Sequence, residues 1–318
     1  MISNECKAAL TQSHPSWYEG FRYVYPVVSR RSRGVSLGVN LSPTKLCNFR
    51  CLYCQVNRGE KRAEIDAAID RADPSGASEH DVLRRRPITC ERNRLDLNVL
   101  ESEILKLARV TLNGELFKVG RFADTEPERR VLRDIAFSGD GEPTLAPQFP
   151  EAVSLLVDAR RRLGYESLLL LLITNATRLM RPEIVDALDE MHDANGEIWV
   201  KLDAGDLEYF RMIDRTAIPF DSILKNIIFA SKRWRVKIQT ALLSCHGAEP
   251  SDDQFARYCE RVDEIMQAGG YVQSVQLYTV ARPPSDPSAK PLPNDVMDRY
   301  AETLRRKTGA RVEVFYSR

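Results

Sequence analysis

Short apolar or β-branched segments recur along the chain, each followed by a polar loop and then by apolar positions at helical spacing. This alternation is the rhythm of strands joined by helices. It predicts strands at 35–40, 135–138, 168–173, 198–203, 236–243 and 275–280, with a late strand at 312–316. Helices are predicted at 97–108, 149–163, 183–191, 220–233, 252–268 and 295–307. Ser251 and Asn294 precede first-turn carboxylates and read as helix caps, while Gly164 and Gly269-Gly270 read as stops. Residues 58–96 interrupt the rhythm with a charge-dense stretch broken by Pro74, Gly76 and Pro87, which reads as a surface insertion.

Separating alternate residues of the strands reveals two unlike faces. Ile198, Val200 and Leu202 oppose Trp199, Lys201 and Asp203; Val236, Ile238 and Leu242 oppose Lys237 and Gln239. Val275 and Leu277 oppose Gln276 and Tyr278, and Val35, Leu37 and Val39 oppose Ser36 and Asn40. A parallel sheet covered by helices on both faces would read apolar throughout, as only 168–173 does. A closed barrel would fill its lumen with branched apolar side chains. The pattern instead predicts an α/β fold: a partial, incomplete parallel βα barrel of about six strands, with helices outside and a polar interior that holds a ligand. The division expected is an N-terminal extension at 1–33, the barrel at 34–282 with the charged insertion at 58–96, and a C-terminal helix and strand at 283–318.

Composition narrows the function classes. The 318 residues are 43% hydrophobic, enough for a sizeable core. With 46 basic and 45 acidic side chains the formal charge is +1, so no whole-chain field draws the protein to nucleic acid or an anionic surface. The basic runs at Arg30 to Arg33 and Arg84 to Arg86 leave RNA binding open without supporting it, since no aromatic residues interleave them. No N-terminal apolar stretch resembles a signal peptide, and the apolar run 168–173 is far short of a bilayer span, which takes about 20 residues. A cytoplasmic location without membrane association is expected, where grouped cysteines serve as metal ligands or catalysts more often than as disulfides.

Three of the seven cysteines, Cys47, Cys51 and Cys54, fall inside "LCNFRCLYCQ". Spacing of four and three residues would also place them along one helix face as ordinary core. The preceding "NLSPTK", however, puts them in a loop beyond the first barrel strand, on the rim where βα barrels place their sites. Zinc usually takes four ligands and so does an ordinary [4Fe-4S] cluster. Three thiolates leave one iron open to a substrate or cofactor. Cys6, Cys90, Cys245 and Cys259 stand apart, with the Cys245-His246 pair the one to watch. A non-catalytic iron-sulfur or zinc-binding protein is the competing reading.

"CNFRCLYC" resembles the CxxxCxxC motif of the radical S-adenosylmethionine superfamily, and "FSGDGEPTL" resembles its GGEP element with Asp140 in place of the first glycine. The resemblance implies a [4Fe-4S] cluster on Cys47, Cys51 and Cys54, whose fourth iron chelates S-adenosylmethionine. It implies that Tyr53 contacts adenine, that Asp140, Gly141 and Glu142 lie at the methionine amino group, and that Asn175 and Asp203 bind ribose and methionyl portions. The implied activity is an oxidoreductase-like one. One electron from an electron donor such as flavodoxin or ferredoxin cleaves S-adenosylmethionine to a 5'-deoxyadenosyl radical, which abstracts hydrogen from an unknown substrate. More narrowly, "GVNLSPTKLCNFRCLYCQV", "VKLDAGD" and "VQLYTVARPP" resemble the branch that includes the wyosine synthases of tRNA modification. A tRNA-modifying or glycyl-radical-activating role are the alternatives within the enzymes. Lys201, Lys237, Gln239, Gln276 and Tyr278 face the expected lumen as substrate-orienting candidates, and Arg282 could meet a carboxylate or phosphate.

Overall fold

The computed structural model describes residues 18, 20–56, 94–118 and 120–317. Cys6, Cys90, the 84–86 arginines and nearly all of the 58–96 insertion lie outside them. One eight-stranded sheet organises the chain in the order β1-β2-β3-β4-β5-β6-β8-β10. Its strands are β1 (Val24–Ser29), β2 (Gly34–Val39), β3 (Leu132–Phe137), β4 (Leu169–Thr174), β5 (Gly196–Lys201), β6 (Val236–Ala241), β8 (Val272–Tyr278) and β10 (Val312–Phe315). From β2 onward every pairing is parallel; β1 alone runs antiparallel, as a hairpin with β2. A small separate ladder joins β7 (Leu243–Cys245) to β9 (Ala289–Pro291).

The register shows why this sheet curls. Followed straight across the strands, Val39 lies beside Phe137, then Leu172, Ile198, Val236 and Val272. A line that leaves the last residue of β2 therefore arrives at the first residue of β6 and of β8. Such a cumulative stagger is the shear that rolls a sheet toward a barrel. The roll stays incomplete, because β1 and β10 are the two ends of the strand order. They meet where Arg30, at the hairpin tip, donates from Nη1 to the Tyr316 carbonyl at 2.5 Å.

The helices cover the outside. They are α1 (Leu97–Leu112), α2 (Phe149–Leu163), α3 (Pro182–Asp193), α4 (Leu207–Asp214), α5 (Phe220–Arg233), α6 (Asp252–Gln267) and α7 (Asn294–Thr308). The outward strand face supplies Val35, Leu37, Ile135, Leu170, Leu172, Ile198, Val200, Ile238, Val275 and Leu277 to the main core, all buried. The inward face carries its own small apolar layer of Ala136, Leu171 and Trp199. Around that layer is a polar network. Ser36 donates to Asp134 at 2.5 Å, Lys237 pairs with Glu197 at 3.0 Å, and Gln239 donates to Gln276 at 2.9 Å, which donates to Glu313 at 3.2 Å. Lys237, Gln239 and Gln276, expected to orient a substrate, are thus committed to one another and to barrel carboxylates.

Several expectations need correction. The expected partial parallel barrel is present; residues 24–29, within the expected N-terminal extension, add β1, and the expected late strand is β10, so the sheet has seven parallel strands and one antiparallel strand. The hairpin escaped notice because β1 carries Pro26, which is tolerated on an edge strand but argues against a strand in sequence. The strand expected at 198–203 ends at Lys201, leaving Asp203 in the loop beyond its tip. Ser251 makes a full capping box with Gln254 as its spacing implied, whereas Asn294 is already helical and Pro293 precedes it without a side-chain cap. Gly164 ends α2 at φ 61°, the left-handed turn that glycine adopts without strain. Among the described residues no helix is long and apolar enough to cross a membrane.

Candidate functional site

The three cysteines sit on the loop that leaves β2, at the carboxyl ends of the parallel strands. Phe49 and Leu52, both buried, turn into the core between them, with Phe49 edge-on to Phe210 at 5.7 Å. Alternation of these anchors with Cys47, Cys51 and Cys54 leaves all three thiols half-buried on the other side of the loop. Backbone bonds fix it: Arg50 N–H donates to the Asp214 carbonyl at 3.1 Å and Leu52 N–H to that of Ile213 at 2.7 Å, so the end of α4 grips the loop. Ser285, beyond β8, donates from both N–H and hydroxyl to the Cys54 carbonyl at 2.9 Å. The helix reading of the triplet is excluded, since this stretch is loop.

The SGDGEP loop, leaving β3, packs directly against the cysteine loop. Glu142 N–H donates to the Leu46 carbonyl at 2.9 Å. A Cβ on Gly141 would stand 2.1 Å from that same carbonyl oxygen and 2.6 Å from Ser42 Cβ, so only glycine permits the approach. The Asp-for-Gly departure costs nothing here: the left-handed backbone falls on Gly139, at φ 137°, and Asp140 is outside the positive-φ residues. Asp140 instead accepts from Asn40 Nδ2 at 3.0 Å. Glu142 is 3% exposed and saturated by the protein, accepting from Thr144 N–H (3.2 Å), Thr144 Oγ1 (2.7 Å), Thr174 Oγ1 (2.7 Å) and Asn175 N–H (2.8 Å). Burial pushes its pKa up and those hydrogen bonds oppose the rise. It therefore ties the tip of β4 to the SGDGEP loop and keeps Asn175 in place. Asn175 Nδ2 donates to Asn48 Oδ1 at 2.7 Å and reaches Cys47 Sγ at 4.0 Å.

Across the mouth, Tyr53 donates its hydroxyl to Asp203 Oδ2 at 2.5 Å, and Asp203 Oδ1 accepts from Ala241 N–H at 2.6 Å and from Lys201 Nζ at 3.1 Å. Lys201 also donates to the Tyr278 hydroxyl and lies 4.9 Å over the Tyr53 ring and 4.4 Å over the Tyr278 ring. Burial works against its charge, but Asp203 and Tyr278 more than offset this and hold it protonated. Arg31 lies 4.3 Å over the same Tyr278 ring. Burial pulls its pKa down, with Tyr278, Tyr53 and Asp203 opposing, and a guanidinium stays charged regardless. The "RRSR" run therefore divides: Arg30 closes the barrel seam, Arg31 enters the lumen over Tyr278, and Arg33 is exposed. Arg282 lies close enough to Arg121 to add to the effect of burial in lowering the Arg121 pKa. Sequence reasoning also missed Asp214, on α4, whose Oδ1 accepts from Cys51 Sγ at 3.4 Å. No strand or motif marks it; only the fold brings residues 163 positions apart together. Burial, then Asp203, raises the Asp214 pKa, and burial, then Asp214, raises that of Cys51.

The donor set fits an iron-sulfur cluster. Phe49 N–H points at Cys47 Sγ at 3.4 Å, the kind of contact that tunes cluster thiolates. The Ser42 hydroxyl is buried against Gly141 with no hydrogen-bond partner among the described residues. Among the described residues no three of His, Cys, Asp and Glu are gathered as ligands of a single ion. Cys245 is buried in β7, its pKa raised by burial and lowered in part by Arg215. Cys259 is buried on α6.

No protein-family model matches the chain. It is similar to a UPF0026 protein of Methanocaldococcus jannaschii, 25% identical over 268 residues, which cover 84% of this chain and 65% of that protein. A UPF0026 protein of Helicobacter pylori is 24% identical over 262 residues, covering 82% of this chain and 66% of its own. The chain thus spans a little under two thirds of the length of these curated relatives. A solved structure of TYW1 with a lysine-pyruvate adduct bound aligns over 96% of this chain and 82% of its own, with a TM-score of 0.47 and 16% identity. In this chain a strand leads to the cysteine loop and the next strand to the GEP loop, and the fold sets these two loops against each other.

Proposed function

We propose that the chain is a radical S-adenosylmethionine enzyme, carrying a [4Fe-4S] cluster on Cys47, Cys51 and Cys54 and S-adenosylmethionine at the barrel mouth. The observation that carries this reading is the contact of Gly141 and Glu142 with the backbone of Leu46, which places the SGDGEP loop beside a loop of three half-buried thiols with no fourth. A cluster held by Cys47, Cys51 and Cys54 would supply one-electron reduction of S-adenosylmethionine, the source of a 5'-deoxyadenosyl radical for hydrogen abstraction from the substrate.

The protein's part is positioning and exclusion. Tyr53, held at its hydroxyl by Asp203, presents its ring toward the mouth as the adenine contact. Glu142 fixes the loop that offers Asp140 and Gly141, and Asn175 and Asp203 line the opposite strand tips. The polar but internally bonded lumen keeps a substrate below the mouth and away from bulk water. Flavodoxin or ferredoxin would serve as electron donor in a cytoplasmic setting, and the substrate is an unassigned molecule.

Anaerobic reconstitution should give a [4Fe-4S]+ signal in electron paramagnetic resonance after reduction, together with release of 5'-deoxyadenosine. Replacing Cys47, Cys51 or Cys54 by alanine should abolish both. Stoichiometric zinc, or a cluster indifferent to S-adenosylmethionine under strong reduction, would establish the non-catalytic metal-binding reading instead.

A further inference from the structure

The upper lumen holds two cations, Lys201 and Arg31, and only Lys201 is in an ion pair among the described residues. Lys201 is matched by Asp203 at 3.1 Å, and Asp203 is itself fully engaged by Tyr53 and Ala241 N–H. The Arg31 guanidinium, half-buried at 4.3 Å over the Tyr278 ring, has no hydrogen bond and no ion pair among the described residues. Stacking on a ring uses the face of a guanidinium and leaves its planar edge of N–H donors open. That edge matches the two oxygens of a carboxylate or phosphate.

Its placement is built, not incidental. The hairpin tip that delivers Arg31 is pinned by Arg30 to the Tyr316 carbonyl, and turned by Ser32 N–H donating to Ser29 Oγ at 3.1 Å. Tyr278 in turn stands edge-on to Tyr53 at 6.3 Å, and Tyr53 precedes the third cysteine. An anion on Arg31 is therefore separated from the cysteine loop by one pair of aromatic rings.

We propose that Arg31 receives the carboxylate or phosphate of a small anionic substrate in the barrel lumen, over Tyr278 and beside Lys201. The substrate role rests on the radical S-adenosylmethionine reading; the anion site itself does not. Anchored by that group, the rest of the molecule extends past the Tyr278 and Tyr53 rings toward the mouth.

The test uses the full chain without cluster, titrated with inorganic phosphate and, separately, acetate, followed by broadening of the ligand's 31P or 13C resonance. Saturable binding is expected for the wild type, weakened about tenfold in Arg31→Gln, the loss typical of one charge-assisted contact, and unchanged in Arg33→Gln, an exposed arginine of the same turn. Phenylglyoxal modification of the wild type, mapped by mass spectrometry, gives a readout that needs no variant: phosphate should slow reaction at Arg31 and not at Arg33. Equilibrium dialysis of S-adenosylmethionine with reconstituted protein separates the two possible sources of the carboxylate, and its affinity should be equal in wild type and Arg31→Gln. A wild type that binds neither ion, or an Arg31 that phosphate does not protect, overturns the proposal. So does an Arg31→Gln loss of S-adenosylmethionine affinity as large as the loss for phosphate, which would assign Arg31 to the cofactor. Absence of 5'-deoxyadenosine release from the wild type would sink the enzyme reading alone, since the phosphate measurements do not depend on it.

Discussion

Asp134 carries a cost that a neutral side chain would not. It is fully buried, Ser36 holds one of its oxygens, and the other has no hydrogen-bond partner among the described residues. Burial pushes its pKa up to about 6, with Ser32 and Ser36 opposing and Glu197 adding to the rise. The folded protein thus binds this proton more tightly than the unfolded chain, so the contribution to stability is present at low pH and is lost as pH rises from about 4 through about 6. Asp134→Asn should raise stability at pH 7 by roughly 2 kcal/mol and flatten that part of the pH profile, measured by urea unfolding. An unchanged profile would show that the carboxyl is solvated in the folded state. This residue escaped the sequence reading because the strand around it was predicted only from 135 onward, whereas β3 begins at Leu132.

At the scale of elements, the site is made by two loops pressed together, and Gly141 is their point of closest approach. Gly141→Ala would drive a Cβ to within 2.1 Å of the Leu46 carbonyl oxygen, and backbone cannot move aside as a flexible side chain can. Iron incorporation should fall severalfold. Gly164→Ala, at the open end of α2 with φ 61°, serves as a control: it should cost about 1 kcal/mol in stability and leave iron content unchanged. If both variants load iron like the wild type, the contact between the loops is not what shapes the proposed cluster site. The motif itself was legible, since the order of cysteine loop and GEP loop can be read along the chain. The short helix α4 was not predicted, although its carbonyls hold Arg50 and Leu52 and its last residue meets Cys51. At eight residues it is too short for a periodic pattern to stand out.

On the scale of the whole molecule, the barrel is open along one side, and the hairpin tip bridges its edges through Arg30 and the Tyr316 carbonyl. Arg30→Gln should loosen that seam, seen as faster amide exchange in β10 with little change in β4 and β5; equal exchange in all three would mean that the contact does not hold the edge. Sequence alone determined the strand rhythm, the polar inner face and the three thiols, because each depends on residue type at fixed local spacing. Period-two alternation separates Lys201 and Tyr278 from Ile198 and Leu277 without any knowledge of neighbours. Which polar groups would be free was decided only by the tertiary structure. Register staggers Val39 of β2 toward Val236 of β6 and rolls the sheet, so that Gln239 meets Gln276 and Lys237 meets Glu197, closing their hydrogen bonds internally. The same roll carries Arg31, read in sequence as part of a surface basic run, to Tyr278, some 250 positions away, and leaves its donors open. Whether a charge is satisfied depends on contacts between residues far apart in the chain, and those exist only once the strands have taken their register.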